Sequence, residues 1–132
     1  MAIKLISVIS LALLVTQVGA AVPPEPRPTG IYSNLRFNQE GGDLLGTELL
    51  ILPRGDVGKP AWSVFVQIAE GGAPFTAIVP FLVDHSKFEF TLPPGGAYGG
   101  LRATGIFVGK DILLCWGSGT EERLARGKSY WQ

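Results

Sequence analysis

From Gly30 onward the chain alternates short apolar, β-branched runs with clusters of glycine, proline and aspartate, and no segment offers three turns of helical periodicity. That alternation predicts an all-β fold. The runs are IYSNLRF (31–37), LLGTELLIL (44–52), WSVFVQIA (62–69), FTAIVPFLV (75–83), KFEFTL (87–92), GLRATGIFV (100–108), ILLCW (112–116) and ERLARGKSYW (122–131). The breakers between them, among them NQEGGD, EGGAP, DHS, PPGGAYG and GSGTE, supply the residue types that turns demand.

About eight strands joined by tight connections must pair with their sequence neighbours, because short loops cannot make the long crossovers of parallel strands. The result is a small antiparallel meander. Closing it into an up-and-down barrel, lipocalin-like in architecture, removes the exposed sheet edges, and a two-sheet sandwich is the alternative. In the fifth run Phe88, Phe90 and Leu92 share one face and Lys87, Glu89 and Thr91 the other, so one side is buried and one wet. In the third run Trp62, Val64, Val66 and Ile68 share a face opposite Ser63, Phe65, Gln67 and Ala69. Pro80 cannot donate a ladder hydrogen bond and marks an edge or a bulge; at an edge, the barrel is open there. The final RLARGKSYWQ is read as the closing strand, with a bulge at Gly127 and Tyr130 or Trp131 packed at the barrel rim, in preference to a basic-aromatic recognition tail.

The N-terminus has another character. MAIKLISVISLALLVTQVGA carries Lys4, an apolar run from Leu5 to Val15, and Val18 and Ala20 at the −3 and −1 positions of a small-residue cleavage site. Residues 1–20 are therefore expected to be a Sec-type signal peptide cleaved after Ala20, a retained anchor being the alternative reading. The proline-rich stretch 21–29 is expected to be a linker, and 30–132 a single β-barrel domain. Loss of Lys4 leaves ten basic residues against eleven acidic ones, so bulk charge draws the chain neither to nucleic acid nor to an anionic membrane. One cysteine, Cys115, cannot form an intrachain bridge; flanked by Leu114 and Trp116, it is expected to be buried, an exposed thiol able to pair between molecules being the alternative.

Chemistry-bearing motifs are sparse. GIFVGKD has the glycine and lysine of a phosphate loop but neither its spacing nor its hydroxyl residue. Asp84, His85 and Ser86 are the residue types of a hydrolytic triad, yet consecutive turn residues do not converge on one reacting atom. One histidine and one cysteine are too few for a zinc site, and spacing identifies no inward pair of carboxylates. No catalytic residue, metal or cofactor is therefore assigned.

What remains is rings and loops. Trp62, Phe65, Phe90 and Tyr98 are the candidate ligand-binding residues, and PPGGAYGG is a candidate cover for a barrel mouth. A barrel of this size accommodates either a solid core or one small ligand. The expectation is a secreted or periplasmic, non-catalytic binding module for a small apolar ligand or a protein partner. An envelope-associated assembly protein and a small carboxylate hydrolase are the alternatives.

Overall fold

A computed structural model describes residues 28–55 and 61–132. The described chain is all-β and antiparallel. Its strands are β1 (Gly30–Ser33), β2 (Arg36–Asn38), β3 (Asp43–Arg54), β4 (Ala61–Glu70), β5 (Phe75–Asp84), β6 (Lys87–Thr91), β7 (Arg102–Val108), β8 (Asp111–Trp116) and β9 (Glu121–Gly127). From β3 to β9 each strand pairs with the next, and β1 pairs with both β9 and β3, which closes the sheet into an eight-strand up-and-down barrel. Closure sets the sandwich aside. The first run of the sequence is β1 and β2 together, both aligned on β3 in one continuous register, with Ser33 opposite Glu48 and Arg36 opposite Leu45. Between them the Asn34 backbone N–H donates to the Thr47 carbonyl at 3.0 Å, while the Asn34 side-chain oxygen accepts the Thr47 N–H at 2.6 Å. A carboxamide there does the work of a backbone carbonyl.

Strand alternation decides what fills the interior. Leu49 and Ile51 of β3 stand beside Val64 and Val66 of β4, and Ile112, Leu114 and Leu124 complete the opposite wall, all of them fully buried. Each such side chain contributes about 1.5–3 kcal/mol relative to an exposed one. Rings fill the remaining space: Phe88 lies 5.1 Å from Phe81 and 5.2 Å from Phe107 between ring centroids, and Tyr32 meets Phe107 edge-on at 6.0 Å. Phe88 fits because its partner across the β6–β7 ladder is Gly105, where a Cβ would overlap the ring.

The wall is incomplete along one seam. β5 and β6 pair only at Val83 with Phe88 and Asp84 with Lys87, so β5 from Phe75 to Leu82 has no ladder partner on that side. Pro80 sits in this stretch, paired with Ser63 of β4 on the other side, so it occupies the edge position where a residue without a donor is tolerated.

Two expectations are corrected. Cys115 is exposed, because strict alternation in β8 turns Ile112, Leu114 and Trp116 inward and leaves Cys115 outside. The last strand stops at Gly127, and the segment beyond it folds back over the outer face of β3 and β4. Ser129 Oγ donates to Glu48 Oε1 at 2.6 Å, the Tyr130 N–H to Glu48 Oε2 at 2.9 Å, and Trp131 Nε1 to Gln67 Oε1 at 2.9 Å. The aromatic tail is thus anchored on the wall through polar groups, with Trp131 itself 58% exposed. The expected signal segment and linker lie outside the described residues, apart from Pro28 and Thr29.

Candidate functional site

The two ends of the barrel differ. At the base, the β8–β9 seam is tied by Asp111, whose Oδ2 accepts from Arg123 Nε and Nη2 at 3.1 and 2.9 Å and whose Oδ1 accepts the Arg126 N–H at 3.2 Å. Those bonds, the Arg126 amide first and the Arg123 guanidinium second, hold the Asp111 carboxyl below the usual carboxylate range. The chain enters there, with the Tyr32 hydroxyl donating to the Pro28 carbonyl at 3.0 Å and Arg126 Nη2 to the Thr29 carbonyl at 2.7 Å. Burial raises the Tyr32 pKa, an effect the neighbouring Arg126 charge partly offsets.

At the mouth, where β4, β6 and β8 end, the interior is not filled. A cavity of about 300 Å³ opens there. Its cover is the glycine-rich loop between β6 and β7. The Leu92 N–H donates to the Leu101 carbonyl at 2.9 Å, and the chain between them folds back through Gly100 N–H bonds to the Leu92 and Pro93 carbonyls at 3.2 and 3.3 Å. Gly99 passes so close to the Gly95 backbone that a Cβ has no room. This compact fold presents Tyr98 to the cavity, its ring 5.2 Å from Phe75 across the β5–β6 gap. The loop therefore covers the unpaired seam as well as the mouth.

The Tyr98 hydroxyl donates to the Glu70 carboxylate, and desolvation, then that bond and the Glu70 charge, push its pKa up to about 12. On the opposite wall Trp116 Nε1 donates to Glu122 Oε2 at 3.4 Å, and Trp116 rests edge-on against Phe90 at 6.1 Å. Ile68 and Leu101 give the lining an apolar part. Thr47, 1% exposed, belongs to the cavity wall, and its Oγ1 is buried with no hydrogen-bond partner among the described residues. Two carboxylates and two rings thus share one small cavity.

Of the four rings expected at a ligand site, the structure brings only Tyr98 to this cavity. Phe90 is buried in the core and supports Trp116 from beneath. Trp62 packs against the core toward the base, paired with Phe81. Phe65 lies on the outer face, 37% exposed, so it does not join Trp62 and Phe90 around an interior cavity. His85 occupies the β5–β6 turn in the left-handed region at φ 57°, its Nδ1 2.6 Å from Asp84 Oδ1, with both side chains almost fully exposed.

The residues that the sequence reading missed obey the same alternation as the core. Glu70 continues the inward set of Val64, Val66 and Ile68; Thr47 precedes Leu49 and Ile51; Glu122 precedes Leu124. A polar residue of inward parity at the last turn before a mouth loop was the available signal. Compared with family models, with curated proteins and with solved structures, the chain matches none.

Proposed function

We propose that this protein is an exported, non-catalytic binding module that takes a small, partly apolar ligand into the mouth of its barrel. The observation that carries the reading is the cavity of about 300 Å³, which lies at the lower end of the range for small-molecule sites and combines a hydrophobic lining with a few convergent polar groups. The glycine-rich loop covers it and brings Tyr98 to its lining. Export to the periplasm or the cell exterior is supported by the leader-like pattern of residues 1–20. Native mass spectrometry of the protein purified from its own source, followed by solvent extraction, tests the proposal. A stoichiometric small molecule whose retention is lost on Tyr98→Ala supports it; a bare chain that also fails to bind any member of a small-molecule panel overturns it.

One observation favours a second reading, a protein contact or self-assembly. On the outer face of β3 to β5, Leu52, Phe65, Ile78 and Leu82 are 48%, 37%, 69% and 63% exposed, and Phe65 is paired directly with Ile78. An apolar surface of this kind marks an interaction site. Sedimentation over a wide concentration range decides it: association that Ile78→Lys abolishes supports this reading, and a strict monomer removes self-assembly.

A further inference from the structure

Resting on that reading, we infer that the mouth cavity selects a small organic cation, an ammonium group joined to a compact hydrocarbon or ring. Charge is the first argument. Glu70 and Glu122 both line the cavity, no lysine, arginine or histidine does, and neither acid belongs to an ion pair of the described residues. Each accepts a hydrogen bond from a ring donor, Tyr98 or Trp116, which uses one of its several lone-pair sites and orients the carboxylate without neutralising it.

The second argument is the remainder of the lining. Tyr98 and Trp116 expose ring surface to the same space, and aromatic faces attract cations within about 6 Å. A hard divalent metal is disfavoured, since it takes about six to eight oxygens and no cluster of three or more metal-ligating side chains occurs among the described residues. Ile68, Leu101 and the rings instead accommodate a hydrocarbon portion.

Calorimetric titration of the full chain with 2-phenylethylammonium, and with 2-phenylethanol and phenylacetate as neutral and anionic counterparts, tests the inference. The expected result is ammonium binding tenfold or more tighter than the alcohol, with phenylacetate weakest. In Glu70→Gln and Glu122→Gln that advantage falls to threefold or less while the alcohol binds as in the parent, which also shows that the variants are folded. If ammonium and alcohol bind equally, or if the advantage survives both Gln variants, selection for a cation is overturned while the cavity as a binding site stands. If none of the three binds and solvent extraction yields no bound molecule, the cavity reading falls with it.

Discussion

Phe88 reaches the centre of the barrel through the space that Gly105 leaves on the neighbouring strand. Gly105→Ala places a methyl group inside the ring, and overpacking of this kind costs about 1–3 kcal/mol. Urea unfolding should show that loss, and Phe88→Leu in the Gly105→Ala background should recover part of it; an unchanged midpoint in the single variant would mean that the ring does not lie against Gly105. At this scale the sequence was informative wherever alternation was strict, as in Phe88, Phe90 and Leu92, all of which are buried. It was silent on which ring faces a void, because Trp62, Phe90 and Trp116 follow the same inward alternation and only their height in the barrel distinguishes core from lining. Height depends on strand stagger, which no run of residues encodes locally.

The strands themselves were legible because each apolar run is bounded by residues that stop it. The ends of the chain were less so. ERLARGKSYW reads as one strand, yet after Gly127 the backbone leaves the ladder and docks by hydrogen bonds to Glu48 and Gln67, partners more than sixty residues away in sequence. Glu48 and Gln67 are 7% and 8% exposed. Removing 129–132 strips three donors from these groups. Truncation after Lys128 is expected to lower stability by about 1–3 kcal/mol with the barrel retained, as read by thermal unfolding and far-ultraviolet circular dichroism. A truncated chain as stable as the parent would show that the docked tail contributes nothing.

For the whole molecule, the base and the mouth have separate tasks. Asp111 ties β8 and β9 at the base through Arg123 and Arg126, and its folded pKa is depressed. The unfolded carboxyl titrates near about 4, so on acidification the unfolded chain takes up this proton first. The stability it contributes is present above that value and is lost as pH falls through the lower, folded value. Thermal melts from neutral to strongly acidic pH should show Asp111→Asn less stable at neutral pH and with a shallower acid limb; parallel curves would exclude Asp111 from the acid response. Barrel closure was legible as an economy of sheet edges, and Pro80 as the place where closure fails. That seam carries a mechanical consequence. From Phe75 to Leu82 no ladder bond joins β5 to β6, and the ring contact of Phe75 with Tyr98 spans the gap. The barrel is therefore a cuff slit along most of one strand, and at the mouth it is a contact between rings, not a rung of the ladder, that holds the two edges of the slit together.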